Sequence, residues 1–177
     1  MVGAEDVVRL ASRRTFDSPL VMNVFRSVLV EAMVSTALPD WRWCSADYAP
    51  YDFERDDKVR LEVKQTALKQ TWVSKSPSPP SWDIKPRTGI WRDGATWIPG
   101  VGRNADIYVL GLHPVVDQSA DHRDPLQWLF YVLAASRLPD TQRLSASKAN
   151  EISKPVSIGD LARQVEQTAK QFLRRGS

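Results

Sequence analysis

The chain has 177 residues, of which 42% are hydrophobic and 25% are charged, and it contains one cysteine. This length and composition are typical of one globular domain with a substantial core, and a single cysteine excludes both an internal disulfide framework and a multi-cysteine zinc site. The formal net charge of +3 permits a nucleic-acid partner without demanding one.

We therefore expect one domain over residues 1–177, with residues 1–17 as an amino-terminal extension. The first residues carry acids and reach no long apolar run, so we predict neither a secretory signal nor a membrane span. The cysteine content favours a reducing compartment. We expect the protein to be cytoplasmic and to have no membrane partner.

The first predicted element is an amphipathic helix. Ser18 followed by Pro19 is a favourable helix start, because the hydroxyl can accept from free backbone N–H groups and the proline ring fixes a helical φ. Apolar residues then recur at three- and four-residue steps, at Val21, Val24, Phe25, Val28, Leu29, Ala32 and Met33. This spacing predicts one inward stripe ending near Leu38, with Glu31 on its flank.

A change from helical to alternating periodicity after Tyr51 predicts a β-hairpin. Its strands should cover residues 51–53 and 59–66, with a polar turn over residues 54–58. Side chains alternate along a strand, so Glu62 and Lys64 share one face while Leu61 and Val63 occupy the other. The turn acids Asp56 and Asp57 are expected to be solvated.

The remaining chain predicts a sheet covered by helices. Residues 74–102 are rich in Pro, Gly and Trp and are expected to form a long loop, within which Trp82–Ile84 can form a short strand. Ala105–Leu112 and Trp128–Ala134 are apolar and suit buried strands, although the second is also compatible with a buried helix. Residues 157–175 should form the last helix. The order predicts an α/β fold with a mixed central β-sheet flanked by helices.

Asp52, Glu62 and Lys64 form a set with a chemical reason to meet. Hydrolysis of a phosphodiester is assisted by a divalent cation, which polarises the phosphate and lowers the pKa of a bound water. Mg²⁺ typically takes one or two protein carboxylates together with water and phosphate oxygens. Lys64 lies on the Glu62 face, where it can orient the water or stabilise developing charge.

The spacing Asp52, nine residues, then Glu62-Val63-Lys64 resembles the signature of the PD-(D/E)xK nuclease superfamily, although Pro50 lies two positions before the acid. The resemblance implies a restriction-endonuclease-like fold with an α-β-β-β-α-β-type core. It further implies that Asp52, Glu62 and the carbonyl of Val63 bind Mg²⁺, which Mn²⁺ may replace, and that Lys64 is catalytic with Glu31 assisting from the first helix. The implied reaction is phosphodiester hydrolysis, on DNA rather than RNA, giving a 5′-phosphate and a 3′-hydroxyl.

Five residues are candidates for contact with nucleic acid: Gln65, Trp72, Lys85, Arg87 and Arg103. Interleaved tryptophans and basic residues can stack on bases and meet phosphates, or the tryptophans can anchor a long loop, and the sequence leaves both open. Arg103 is either a phosphate contact or a partner of Asp106. Residues around Gln65, Trp72 and Arg103 also resemble a bacterial branch of uncharacterised nuclease-like proteins.

His113 and His122 are too far apart in sequence to indicate a metal pair and are expected on the surface or in loops. Two other functions stay open besides a nuclease. One is a non-catalytic module of the same fold that binds nucleic acid or a protein, and the other is an unrelated α/β domain with a polar hairpin. A homodimer would suit double-strand cleavage.

Overall fold

The computed structural model describes residues 2–44, 49–72, 79–92 and 94–176. Helices in this part of the chain are α1 (Ala4–Phe16), α2 (Asn23–Ala37), α3 (Ala146–Ile152) and α4 (Ile158–Gly176), with short 3₁₀ turns at Pro125–Gln127 and Ala135–Arg137. The strands are β1 (Arg42–Trp43), β2 (Phe53–Glu54), β3 (Arg60–Ala67), β4 (Ser81–Asp83), β5 (Arg87–Arg92), β6 (Thr96–Gly102), β7 (Ile107–His113), β8 (Leu129–Ala134) and β9 (Arg143–Ser145).

Five of these strands form a mixed central sheet in the order β1-β2-β3-β7-β8. β3 runs parallel to β7, and the other neighbours are antiparallel. β2 pairs with only the first two residues of β3, through Glu54 opposite Arg60 and Phe53 opposite Leu61. The remaining length of β3 therefore extends past the end of β2.

The sheet is covered on both faces, as the apolar sequence of β7 predicts. On one face, Leu61 and Val63 pack with residues of α2 and α4 such as Val30 and Leu161. On the other face, residues of β7 and β8 pack with Trp82 of β4 and with β9 and α3. All seven residues of β7 are buried. The expected α/β fold with a mixed central sheet and flanking helices is confirmed.

The predicted strands around the buried sheet are confirmed with small shifts in their bounds. β3, β7 and β8 correspond to the predicted runs, β2 antiparallel to β3 is the predicted hairpin, and α4 begins and ends one residue later than predicted. Ser157 precedes α4, and its carbonyl accepts the N–H of Asp160 at 3.1 Å. No helix in the described part of the chain is both long and apolar enough to cross a membrane.

The predicted start of the second helix at Ser18 is wrong, because α2 begins at Asn23. Tertiary hydrogen bonds hold the preceding segment in an extended course. The carbonyl of Pro19 accepts the N–H of His122 at 2.8 Å, and the N–H of Val21 donates to His122 Nδ1 at 3.0 Å. Residues 1–17 are also more than an extension, since they contain α1, whose side chains are all accessible to solvent.

The predicted inward stripe of α2 is also partly wrong. Val24 and Val28 are 68% and 46% exposed, whereas Arg26, Val30 and Val34 are buried. Apolar residues occur around most of this helix, so the sequence does not define one stripe. The face that packs on the sheet is rotated toward Arg26.

Residues 87–92 and 94–102 do not form the expected loop, since they contain a β5–β6 hairpin, whereas β4 is the short strand predicted at Trp82–Ile84, shifted by one residue. The missed signal is Asp93-Gly94, a dipeptide favoured in hairpin turns, in which Asp93 lies outside the described residues and Gly94 has φ +68°. A Cβ on Gly89 would lie 2.4 Å from the ring of Trp97, so only glycine fits there without rearrangement. The described part of the β3–β7 connection thus contains strands where the resemblance implies a helix.

The two histidines are buried instead of exposed. His113 and His122 are both fully buried, with ring centroids 4.8 Å apart, and His113 also packs on Trp128 at 5.2 Å. Burial lowers the pKa of both imidazoles, to about 4 for His122. They form part of the core behind α2.

Candidate functional site

The segment of β3 that extends past β2 is where Asp52 and Glu62 meet. The N–H of Asp52 donates to the Leu61 carbonyl at 3.0 Å, although Leu61 is already paired with Phe53, so the regular pairing of β2 with β3 stops at this point. Asp52 Oδ2 accepts the N–H of Val63 at 2.7 Å. The carboxylate of Asp52 thus satisfies a backbone donor of β3 just before β2 begins.

Glu62 and Lys64 project from the same face of β3, as predicted. Glu62 is 7% exposed, and its Oε1 accepts a hydrogen bond from Lys64 Nζ. Nη2 of Arg87, on β5, lies 3.9 Å from the same oxygen. A buried carboxylate is therefore compensated by one close cation and one more distant cation.

Glu31 reaches this region from α2, the helix on which it was predicted to assist. Its Oε2 accepts a hydrogen bond from Trp43 Nε1 at 3.0 Å, which holds the side chain against the end of β1. Burial raises the pKa of Glu31, and the charge of Glu62 raises it further, against the opposing effects of the Trp43 hydrogen bond and of Lys64.

Asp52 has the most perturbed carboxyl group of the three. Burial, followed by the negative charge of Glu62, raises the pKa of Asp52 to about 7, although the Val63 N–H and Lys64 act in the opposite direction. Glu31 adds a smaller repulsion. The charge of Glu62 thus raises the pKa of both Asp52 and Glu31, and a cation placed among these carboxylates would be stabilised.

The Val63 carbonyl faces the same side of β3 as Asp52. The N–H and C=O of one residue in a strand point to the same side, and successive residues alternate. Arg60 bonds toward β7 through its carbonyl and Asp106, Leu61 bonds toward Asp52, and the Val63 N–H again bonds Asp52. By this alternation the carbonyl of Val63 also points past the end of β2.

A divalent cation would have a limited set of protein donors here. Within the described ranges, no group of three or more His, Cys, Asp or Glu side chains is arranged to hold a metal ion. The donors that fit are the carboxylates of Asp52 and Glu62 with the Val63 carbonyl. Such hard oxygen donors suit Mg²⁺, which retains several waters and takes further ligands from phosphate.

Two cavities adjoin these residues. One, of about 430 Å³, lies between α2 and β4 along the extended part of β3 and is lined by Glu31, Asp52, Val63 and Lys64, among others. The other, of about 280 Å³, is lined by Glu62, Lys64 and the start of β5. Lys64 lines both. Asp83 of β4 also lines both, and nothing in its sequence surroundings indicated a place near the site.

Four of the five residues predicted to contact nucleic acid line these cavities, and Arg103 does not. Gln65 and Trp72 line the larger cavity, where Trp72 is 56% exposed, and Lys85 and Arg87 line the smaller one. Arg103 lies apart from them and donates to the carbonyls of Ile84 at 3.1 Å and Pro139 at 2.7 Å.

Asp106 is not the partner that the sequence offered for Arg103. Its Oδ2 accepts the N–H of Arg60 at 2.9 Å, which ties the start of β7 to the start of β3. The guanidinium of Arg103 instead links the β4–β5 connection, at Ile84, to the β8–β9 connection, at Pro139. Its contact with nucleic acid stays a prediction.

Sequence reasoning missed Arg26, which lines the larger cavity and is 1% exposed. An arginine between Phe25 and Ser27 on a helix with apolar residues all round is expected to face solvent. Only the three amide side chains that bind it explain its inward position. These amides belong to Asn23, Gln65 and Gln70.

Comparison with protein-family models, with curated proteins and with solved structures finds no match to this chain. A functional conclusion therefore depends on the geometry around Asp52, Glu62 and Lys64.

Proposed function

We propose that the protein is a metal-dependent nuclease that hydrolyses phosphodiester bonds, with DNA as its preferred substrate. The observation that carries the proposal is the proximity of Asp52 to β3, where its carboxylate binds the Val63 N–H and is influenced by the charge of Glu62, with Lys64 on the Glu62 face. The spacing of these residues resembles the PD-(D/E)xK signature, and the raised pKa of Asp52 fits a carboxylate cluster that binds a cation.

The topology gives partial support to a restriction-endonuclease-like fold. α2 precedes the antiparallel strands β1, β2 and β3, and the next strand of the sheet, β7, is parallel to β3. The proposed signature falls on the second and third of these strands. The departure is the connection to β7, which in its described part contains β4 and the β5–β6 hairpin.

In the proposed mechanism, Asp52, Glu62 and the Val63 carbonyl hold Mg²⁺. The ion supplies charge neutralisation on the phosphate and a water of lowered pKa. With Mg²⁺ bound, Glu62 would have a stronger cation as its partner, and Lys64 would be available to orient the attacking water or to contact a phosphate oxygen. Glu31, oriented by Trp43, accepts a hydrogen bond from water on the α2 side.

The β5–β6 hairpin would provide contacts with the substrate. Trp91 and Trp97 are 41% and 45% exposed, with ring centroids 5.5 Å apart, and Arg87 lies at the base of the hairpin beside Glu62. Exposed aromatic rings stack on unpaired bases, and arginine binds phosphate. This surface supports nucleic acid as the substrate.

The decisive experiment measures cleavage of single-stranded, duplex and nicked DNA and of RNA in Mg²⁺, Mn²⁺ or EDTA. We expect cleavage with either metal and none in EDTA, and loss of cleavage in Asp52→Asn, Glu62→Gln and Lys64→Ala. Asp56→Asn is the matched control, because Asp56 is an exposed acid of the hairpin turn.

Two outcomes would contradict the nuclease. Cleavage that persists in EDTA would exclude the metal mechanism. Binding of nucleic acid without cleavage under any of these conditions would favour the non-catalytic binding module.

A further inference from the structure

The guanidinium group of Arg26 is buried against neutral partners. Arg26 is 1% exposed and donates from Nε to Gln65 Oε1 at 2.6 Å, from Nη1 to Gln70 Oε1 at 3.1 Å and from Nη2 to Asn23 Oδ1 at 2.8 Å. Burial lowers its pKa to about 10, so the group still carries its positive charge at neutral pH.

A buried cation is normally paired with an acid, because transfer of an unpaired charge from water is costly. Among the ion pairs of the described residues, none includes Arg26. The three amide oxygens solvate the guanidinium but leave its charge uncompensated. An anion in the adjoining cavity would complete the electrostatic balance.

The hydrogen-bonding pattern leaves Arg26 as the source of donors for an anion in the cavity. Arginine has no acceptor, so each amide must turn its oxygen toward it and its nitrogen away. Gln70 Nε2 accordingly donates to the Ala67 carbonyl at 2.7 Å, and Gln65 Nε2 donates to Asn23 Oδ1 at 3.1 Å. The five N–H groups of Arg26 are only partly used by its three amide bonds.

The cavity is lined by groups of both charge signs. Asp52 binds the Val63 N–H, and Arg26 binds Gln65, which lies two residues further along β3. Both Asp52 and Arg26 line this cavity, as does Lys64. A phosphate chain presents anionic groups at regular spacing and can place one phosphate at a metal and its neighbour beside Arg26.

We propose that Arg26, held in position by the amides of Gln65 and Gln70, forms a binding site for a second phosphate group of the substrate strand, next to the phosphate that is hydrolysed. This inference rests on the proposed nuclease function and names how the substrate is held. The phosphate is either an internal diester or the monoester at a chain end, since the same donors bind both.

The variant Gln70→Glu distinguishes a phosphate site from a purely structural role of Arg26. If the role were purely structural, the variant would change stability without weakening the binding of phosphate. The new carboxylate would lie beside Arg26 Nη1 and neutralise the guanidinium in place. The folded protein should then be more stable, with a higher Tm, while the site loses its attraction for phosphate. Greater stability together with weaker binding cannot come from misfolding.

Binding is measured by fluorescence anisotropy of a labelled oligonucleotide in EDTA, in the Asp52→Asn background, so that cleavage cannot interfere. We expect Gln70→Glu to weaken binding by roughly tenfold, the size of one charge-assisted hydrogen bond. Gln167→Glu on the exposed side of α4 is the matched control and should bind as the parent does. Ser27→Glu introduces the same charge from α2 and decides the question if Gln70→Glu fails to fold.

Oligonucleotides with a 5′-phosphate and with a 5′-hydroxyl distinguish the two sources of phosphate. A loss with both indicates an internal diester, whereas a loss confined to the phosphorylated strand indicates a chain end. Unchanged binding in both folded glutamate variants would overturn the proposal.

The experiment also separates failure of this site from failure of the nuclease. Metal-dependent cleavage that survives with unaltered affinity in Gln70→Glu and Ser27→Glu removes the phosphate site and keeps the nuclease. If the chain neither binds nor cleaves nucleic acid, inorganic phosphate in EDTA is the remaining probe. It should raise the Tm of the unsubstituted protein and not that of Gln70→Glu, and no shift in either protein would overturn the site.

Discussion

The cavity beside β3 and the β5–β6 hairpin are organised in opposite ways. Polar groups in the cavity are held by hydrogen bonds between segments far apart in sequence, such as Arg26 with Gln65 and with Gln70. The hairpin strands pair with each other and form a separate two-stranded sheet in the described structure. The difference shows that the arrangement of the candidate site depends on contacts between distant parts of the chain, while the surface proposed to meet substrate is fixed locally.

The largest effect is expected for Asp52→Asn, which should lower the rate of cleavage and raise the stability of the metal-free protein. Asp52→Asn should reduce cleavage on the order of 10³-fold, equivalent to about 4 kcal/mol of barrier, because a metal ligand loses its charge. The same change should stabilise the metal-free protein, since the folded state holds Asp52 at a pKa of about 7 against an ordinary value of 3.8.

The size of this stabilisation depends on pH. Between these two pKa values the folded protein binds more protons than the unfolded chain, so the stability of the parent falls as pH rises from about 4 to about 7. In EDTA, Asp52→Asn should exceed the parent by about 2–4 kcal/mol above pH 7 and match it near pH 4. If Asp52→Asn and the parent protein had the same free energy of unfolding both near pH 4 and above pH 7, the raised pKa of Asp52 would be contradicted.

A second prediction concerns the pH dependence of cleavage. Metal binding requires ionised Asp52, whose pKa is about 7, so at sub-saturating Mg²⁺ the rate should rise about tenfold per pH unit below neutrality and level off above it. The measurement is kcat/KM from about pH 5 to about pH 9, with Asp56→Asn as the variant that should keep the profile. If kcat/KM did not change with pH, ionisation of Asp52 would not control the rate of cleavage.

Disruption of the hairpin should affect binding and spare the core. At Gly89 a Cβ would lie 2.4 Å from the Trp97 ring and 2.5 Å from the Ile98 carbonyl, whereas at Gly100 it would meet no atom within 4 Å. Gly89→Val should weaken oligonucleotide binding by roughly tenfold through loss of base stacking, and Gly100→Val should not.

The Tm of Gly89→Val tests the independence of the hairpin. We expect a small change, because β5 and β6 add no strand to the central sheet. Hydrolysis of a small activated phosphodiester, too short to reach the hairpin, should also continue at the parent rate. A large fall in Tm would show that the hairpin and the core fold as one unit.

The smallest effect is expected for a single phosphate contact at the base of the hairpin. Arg87→Ala should weaken oligonucleotide binding about threefold and reduce the slope of log K against log salt by about one. Arg9→Ala removes an exposed arginine of α1 and should leave the slope unchanged. An unaltered slope for Arg87→Ala would remove this residue from the binding surface.

Those parts of the fold that follow from local periodicity could be predicted from the sequence. β3 alternates so clearly that the shared face of Glu62 and Lys64 followed directly, and the continuous apolar runs of β7 and β8 indicated a buried sheet. The candidate site residues came from chemistry applied to that alternation and, for Glu31, from the resemblance to the PD-(D/E)xK signature. In the structure the charge of Glu62 raises the pKa of both Asp52 and Glu31, and the catalytic roles stay predictions.

Parts that depend on tertiary contacts could not be predicted. The segment before α2 is held by His122, which is about a hundred residues away, and this contact overrides the helix start that Ser18 and Pro19 favour. The buried position of Arg26 requires Gln65 and Gln70 from another element. In both cases the decisive partners lie on other elements, so local sequence patterns do not indicate the arrangement.

The ends of the hairpin have a consequence for how such a protein can change. Arg87 and Gly102 face each other in register, so the chain leaves the core and returns to it at one place, and Arg103 fastens the return to the carbonyls of Ile84 and Pro139. A segment attached at a single anchored point can be lengthened, shortened or exchanged with little disturbance of the central sheet. Replacement of this hairpin would therefore be expected to change the surface proposed to meet substrate while the carboxylates beside β3 keep their positions.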